Sequence, residues 1–369
     1  MQTMMAAVLE RAPGGMRIEE IPVPEPGAGE VLVRVSACGV CHTDLHVMKA
    51  EVAFPTPAVM GHEISGTVAA LGPGVTGPKV GTAVASAFIM PCGFCSACGA
   101  GRDDLCDNFF AMNRLRGTLY DGTSRLRRKD GTALARYSMA GLAEYAVVPA
   151  TDVFPLADGL PLQESSVLGC AVFTAYGAVR HGAELRGGER VAVVASGGVG
   201  MNIIQIARAF GASQIVAVDV RDDKLDAARR LGATDVVNST ATDATARVRE
   251  ITDGRGVDVA FEVLGIPQTF TQAFEMIRDG GRMVAVGIAP GKTTAPVEIT
   301  RLVRRELRIV GSYGARTRSD MPEIIRLAAQ GIFRPESMVT QRFPLAEADA
   351  AYQALARGDI VGRAIVVMS

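Results

Sequence analysis

From about Leu185 onward the sequence alternates two rhythms, and this alternation restricts the fold more than any other feature. "ERVAVVASGGVG" is an apolar run that ends in glycines. "MNIIQIARAFGA" then spaces its apolar residues three and four apart, as one face of a helix requires, and closes at Gly211. "QIVAVDV" is a second strand-like run and "DDKLDAARRLGA" a second helical one, while "VDVAFEVLG" and "GRMVAVGIA" add further buried strands. Strands that alternate with helices run parallel, because each crossover helix returns the chain to the same end of the sheet. The expected fold of this part is a doubly wound parallel sheet.

The earlier sequence has a different texture. "EVLVRVSACGV" and "ISGTVAALGPGV" alternate apolar with small or polar residues between Gly and Pro breaks, which predicts short β segments. A chain of 369 residues exceeds one compact core, so two domains are expected. "ADAAYQALARGDIVGRAIVVMS" offers a last helix and strand that return to the first domain. The predicted division is 1–171, 172–312 and a return over 313–369. The glycine-rich, basic stretch "NRLRGTLYDGTSRLRRKDGTALARYS" reads as a solvated excursion. A net charge of −1 with mixed signs offers no field for nucleic acid or an anionic membrane. The N-terminus lacks the pattern of a secretory signal, and no apolar run approaches the ~20 residues of a bilayer span. A cytoplasmic, reducing setting is expected.

Seven cysteines are then candidates for metal rather than disulfides. Four of them, Cys92, Cys95, Cys98 and Cys106, form C-x2-C-x2-C-x7-C in "PCGFCSACGAGRDDLC". Thiolates at this spacing can wrap one Zn²⁺ within a loop, a closed site that holds structure; an iron–sulfur cluster or redox-active thiols are the alternatives. A second constellation is scattered: Cys38, Cys41, His42, Thr43, Asp44 and His46 in "CGVCHTDLH", His62 and Glu63 in "MGHEISG", and Cys170 in "VLGCAVFTAYG". Cys41, His62 and Cys170 would supply three ligands and leave one coordination place open, with Asp44 behind the imidazole. Each also has a plain reading as a small buried thiol or a hydrogen-bonded histidine. Cys38 reads as core and His181 as surface.

In "VVASGGVGMN", Gly197, Gly198 and Gly200 lie between a strand and a helix beginning near Val199, with Ala195 at the first position of the G-x-G-x-x-G dinucleotide fingerprint. Asp219 ends the next strand about 20 residues on, where a carboxylate binds the adenosine ribose and disfavours a 2′-phosphate. NAD is therefore expected over NADP, with Arg221 as the nearby basic residue. A purely structural glycine turn is the alternative.

"CGVCHTD", "GHE", "CGFCSACGAGRDDLC", "RGTLYDGTSR", "LGC", "SGGVGMN" and "VAVDVRDDK", in this order, make the whole chain similar to the zinc-dependent medium-chain alcohol dehydrogenases, and "RGTLYDGTSR" to their longer animal-type and glutathione-dependent branch. The resemblance implies a Rossmann domain inserted in a mostly β, GroES-like catalytic domain. It implies two zinc ions per chain, one structural and one catalytic on Cys41, His62 and Cys170. Glu63 matches a glutamate that approaches the metal and Asp44 the acid bonded to the ligand histidine. Thr43 matches the hydroxyl that bonds the substrate oxygen, and His46 the outer histidine of a proton relay. His42 and Arg363 match contacts to the cofactor pyrophosphate; Gly197, Gly198, Val199, Gly200, Asp219, Lys224 and Ile288 match the rest of the NAD site. Val52, Phe88, Phe110 and Ile288 match pocket positions, and their apolar character implies an aliphatic or aromatic alcohol as substrate. Val52 and Phe110 stand where the formaldehyde branch carries an acid and an arginine, and Thr82 where the family usually has Asp.

The implied reaction is reversible, NAD-linked oxidation of an alcohol to an aldehyde or ketone, by a homodimer or homotetramer. Oxidation of a thiol–formaldehyde adduct is the enzymatic alternative. A non-catalytic zinc- and nucleotide-binding protein is the alternative outside enzymes, and it predicts one zinc per chain.

Overall fold

The computed structural model describes residues 2–289 and 291–368. The chain forms two compact units, Met1–Phe173 with Arg316–Ser369, and Thr174–Ala315.

The first unit is mostly β. Its larger sheet runs in the order Val339–Pro344, Arg363–Val367, Glu30–Gly39, Ile64–Leu71, Ala83–Ser86, Phe154–Pro155, with Tyr145–Pro149 also paired to Glu30–Gly39. A smaller sheet joins Met16–Pro22, Thr3–Leu9, Ala58–Val59 and Ala135–Arg136. The register of the larger sheet positions chemistry. Cys38 pairs with Ile64 and Ile365 with Gly39, while Gly39 N–H donates to Glu63 O (2.8 Å) and Val40 N–H to Ala364 O (2.9 Å). The end of one strand thus lies beside the start of two others, so residues 41, 62, 63 and 363 meet at one rim.

The 113–138 stretch differs from the solvated excursion expected of it. Arg125 pairs with Glu30 and Arg128 with Glu19, while Lys129 meets Glu20. Arg136 is buried and donates to Ser138 O (3.0 Å) and Met139 O (3.1 Å). Arg125, Arg128 and Arg136 thus bind acids and carbonyls of the β unit, while Arg116, Arg127 and Lys129 stay exposed, a division that composition alone does not reveal.

The second unit is a six-stranded sheet in the order Asp235–Asn238, Gln214–Asp219, Arg190–Val194, Val257–Glu262, Ile277–Ala285, Arg308–Gly311, all parallel. Ala192, Val194, Val216, Val218, Ala260 and Phe274 pack in one buried cluster, each larger aliphatic or aromatic side chain contributing about 1.5–3 kcal/mol by leaving water. The strand order reverses direction between Arg190–Val194 and Val257–Glu262, and ligands of such sheets bind at that switch point. The helices Gly198–Ala209 and Asp222–Leu231 follow the first two strands; Gly232, in the left-handed region, ends the second.

Candidate metal centres and nucleotide turn

The sheet register brings the scattered ligands together. Donor atoms of Cys41, His62, Glu63 and Cys170 all lie within 4.8 Å of one another. Cys41 caps the helix His42–Met48, and His62 and Glu63 precede the strand Ile64–Leu71. Cys170 follows the short helix Glu164–Gly169, where a Cβ at Gly169 would run into Ser86 O. Glycine there lets the turn approach the sheet and deliver the thiol, with Gly169 O accepting from Phe88 N–H (2.9 Å).

Behind His62 lies Asp44, fully buried. Its Oδ2 stands 3.0 Å from His62 Nδ1, an ion-pair distance without hydrogen-bond alignment, and accepts from Tyr352 OH (2.9 Å); its Oδ1 accepts from Gly61 N–H (3.1 Å). The carboxylate so held turns Nε2 away from itself, toward the thiols. Burial disfavours the imidazolium, yet the charges of Asp44 and Cys41 push His62 well up. The hydrogen bond between the Cys41 and Cys170 thiols pushes Cys170 well above the usual thiol range, aided by burial, and holds Cys41 well below it, aided by His62 and Arg363. Two buried thiols, an imidazole and a carboxylate polarised in this way have the donor chemistry of a zinc site with room for an exogenous ligand.

The four clustered cysteines lie within the same 4.8 Å limit. Cys92 Sγ and Cys98 Sγ are 3.9 Å apart, as are Cys95 Sγ and Cys106 Sγ; a tetrahedron with ~2.3 Å metal–sulfur bonds has edges of ~3.8 Å. Backbone N–H groups aim at the sulfurs: Cys95 N–H at Cys92 Sγ (3.3 Å), Cys92 N–H at Cys106 Sγ (3.3 Å), Cys98 N–H at Cys95 Sγ (3.5 Å). Burial opposes ionisation, but the amides of Cys98 and Asp107 bring Cys95 down to about 7, while burial pushes Cys106 up to about 11. The loop fits a closed tetrahedral metal.

At the nucleotide turn, Ala195 takes φ 79°, the left-handed region that favours glycine. A Cβ at Gly200 would collide with Ala195 O, so this glycine permits close packing of helix on strand. Gly197 caps the helix Gly198–Ala209, one residue earlier than the expected start at Val199. Asp219 Oδ2 accepts from Ser196 N–H (2.7 Å) and Oδ1 from Val220 N–H (2.8 Å), so the carboxylate also fixes the turn it faces. Arg221 binds Asp223. Lys224 is half-buried on the next helix.

Not every expected residue stands as anticipated. Arg363, expected on a pyrophosphate, is buried in an ion pair with Glu63. Phe88 packs edge-on against His62 (6.1 Å), whereas Val52 and Ile288 are exposed and Phe110 packs on Phe109 (5.4 Å). Thr43 Oγ1 lies 3.5 Å from Cys41 Sγ, and His46 binds Glu51. His42 is exposed and His181 half-buried; Cys38 is core. Two residues were missed. Tyr137 packs edge-on against His62 at 6.0 Å, and the Arg114 guanidinium lies 4.3 Å over the Tyr137 ring and 5.8 Å over Phe88. The π-helical turn Phe109–Arg114, which aims Arg114, has no local sequence signature.

Residues 27–158 match the alcohol dehydrogenase GroES-like domain, and residues 198–330 the zinc-binding dehydrogenase model. The chain belongs to the zinc-dependent medium-chain alcohol dehydrogenase family. Among its relatives is the NDMA-dependent alcohol dehydrogenase of Amycolatopsis methanolica, 35% identical over 96% of each chain. An S-(hydroxymethyl)glutathione dehydrogenase of Komagataella pastoris is 33% identical over 98% of this chain and 97% of its own. The crystal structure of benzyl alcohol dehydrogenase from Acinetobacter calcoaceticus superposes with a TM-score of 0.93 at 30% identity, covering both chains fully. The dehydrogenase is thus a zinc- and NAD-dependent oxidoreductase acting on alcohols and aldehydes, with a GroES-like unit and a Rossmann unit. Among the described residues no helix is long and apolar enough to cross a membrane.

Proposed function

We propose that Cys41, His62 and Cys170 hold the catalytic zinc of this alcohol dehydrogenase, with Glu63 as an approaching carboxylate, and that Cys92, Cys95, Cys98 and Cys106 hold a structural one. The convergence of three ligands from distant segments onto one rim carries the reading. Zinc, when bound, supplies a Lewis acid that acidifies the alcohol hydroxyl. Asp44 holds the imidazole of His62 in place. Thr43, beside Cys41, accepts the alcohol proton and hands it outward, and His46 passes it to solvent. The glycine turn 197–200, Asp219, Lys224 and Ile288 would hold NAD, which would supply the hydride acceptor. Phe88 and Tyr137 give an aromatic wall suited to an aliphatic or aromatic alcohol.

Cys41→Ser tests this. Bound zinc should fall from two to one per chain and alcohol oxidation by at least about a thousandfold, since Lewis-acid stabilisation is worth several kcal/mol. NADH affinity should stay within about threefold. Retained turnover, or two zinc ions still bound, overturns the assignment.

The second reading, oxidation of a thiol–formaldehyde adduct, draws support from the Komagataella pastoris relative and from the Arg114 cation over the aromatic wall. NADH formation from formaldehyde only when glutathione is added selects it. The chain works as a homo-oligomer in the cytoplasm. The edge strand Arg308–Gly311 and the exposed Ile299, Val303 and Ile309 suit pairing with a second copy, and seven free thiols suit a reducing compartment.

A further inference from the structure

We propose that Glu51 is the positioning residue of the proton outlet: its carboxylate holds Nδ1 of His46, leaves Nε2 as the atom that takes up the proton, and balances the imidazolium formed. This rests on the relay reading of His46.

The backbone builds the pair. Beyond the helix His42–Met48, Ala50 N–H donates to Val47 O (2.9 Å) and Glu51 N–H to His46 O (2.9 Å), around Ala50 at φ 59°. These are the two bonds of a Schellman cap, in which the residue after the left-handed one lies against the residue three from the helix end. That contact is ordinarily apolar. Here it joins His46 Nδ1 to a Glu51 carboxylate oxygen. Alanine, and not glycine, takes the left-handed position, so a strained residue serves to aim Glu51. The bond to His46 holds the Glu51 carboxyl below its usual range, and the charges of His46 and Lys49 add to it.

Other charges nearby are committed elsewhere. Asp44, on the same helix, is bound by Gly61 N–H and Tyr352 OH. On the packed helix Ala348–Arg357, Asp349 accepts from Met16 N–H and Arg357 pairs with Asp359. The side chains of His46 and Glu51 are 30% and 37% exposed, and so open a pair adds little to stability. Its consequence lies in proton transfer. A proton arriving at Nε2 gives an imidazolium whose Nδ1–H stays on Glu51, and solvent water then takes a proton from Nε2. A histidine in the last turn of a helix is further suited to positive charge.

Glu51→Gln, Glu51→Asp, His46→Gln and the double variant His46→Gln/Glu51→Gln test this in the zinc-loaded enzyme. Glu51→Gln should lower kcat for alcohol oxidation ~3–10-fold, a fraction of a general base's full effect, with alcohol KM within about twofold. Glutamine cannot carry the balancing charge, so the loss should fall on kcat and not on binding. Glu51→Asp should restore most of the rate. Zinc content and Tm should not change, and Glu51→Gln should add nothing on the His46→Gln background. A normal kcat in Glu51→Gln, beside a slow His46→Gln, overturns the role of Glu51 while leaving the relay. A normal rate in His46→Gln overturns the relay itself.

Discussion

Ala195 shows how a departure from a motif is carried at the scale of one residue. Its place in the fingerprint is plain in the sequence, but its left-handed backbone is not, because alanine gives no local sign of φ 79°. The turn holds that shape through Ala195 N–H to Val218 O (2.9 Å) and through Asp219 on Ser196. Ala195→Gly trades about 1–2 kcal/mol of strain against about 0.5–1 kcal/mol of chain entropy, so stability should rise by no more than about 1.5 kcal/mol. Ala195→Val places a β-branched residue there and should cost about 2 kcal/mol or more. Denaturant unfolding of both variants checks this; equal stabilities would show that the turn adopts another backbone in solution. The seven candidate metal ligands stand out in the sequence because thiols and imidazoles are rare residues with few other uses. Tyr137 and Arg114 were not, since aromatic and basic side chains occur throughout the sequence and only packing selects these two.

At the scale of elements, the cysteine loop owes its attachment to a residue far along the chain. Arg318, at the start of the helix Thr317–Ala329, donates to both Asp103 carboxylate oxygens (2.7 and 3.1 Å) and to Cys98 O. Thr317 OH donates to Ile89 O (2.8 Å). The spacing of the cysteines disclosed the metal loop, but a contact across some two hundred residues leaves no periodic trace. Arg318→Ala strands a buried carboxylate; with the guanidinium itself partly exposed, about 1–2 kcal/mol is expected. The variant should keep alcohol turnover at low temperature but release structural zinc to a chelator several-fold faster. Unchanged release would mean that the loop holds itself.

At the scale of the whole molecule, the change of rhythm near Leu185 falls within the second unit, residues 174–315, and the last helix and strand cluster with the first. Strand order was not legible, because any of several neighbours satisfies an apolar strand. Oligomerisation belongs to this scale. Val303→Lys with Ile309→Lys should convert an assembled enzyme to monomers in light scattering while NADH still binds, because Ile309 lies on the edge strand and Val303 on the exposed helix before it, and charge there opposes pairing. An unchanged mass would place the interface on another surface.

The larger sheet of the first unit has a consequence for biosynthesis. Its strand Arg363–Val367 lies between Val339–Pro344 and Glu30–Gly39, so an inner strand of this sheet is translated only after the whole of residues 174–315. The ribosome finishes residues 174–315 as one uninterrupted run, and that unit can fold while translation continues. The rim bearing Cys41, His62 and Glu63 waits for the strand Arg363–Val367 to emerge. A polypeptide that stops short of Arg363 would still carry the nucleotide-binding unit whole, but its cysteine-bearing half would be left open to proteases.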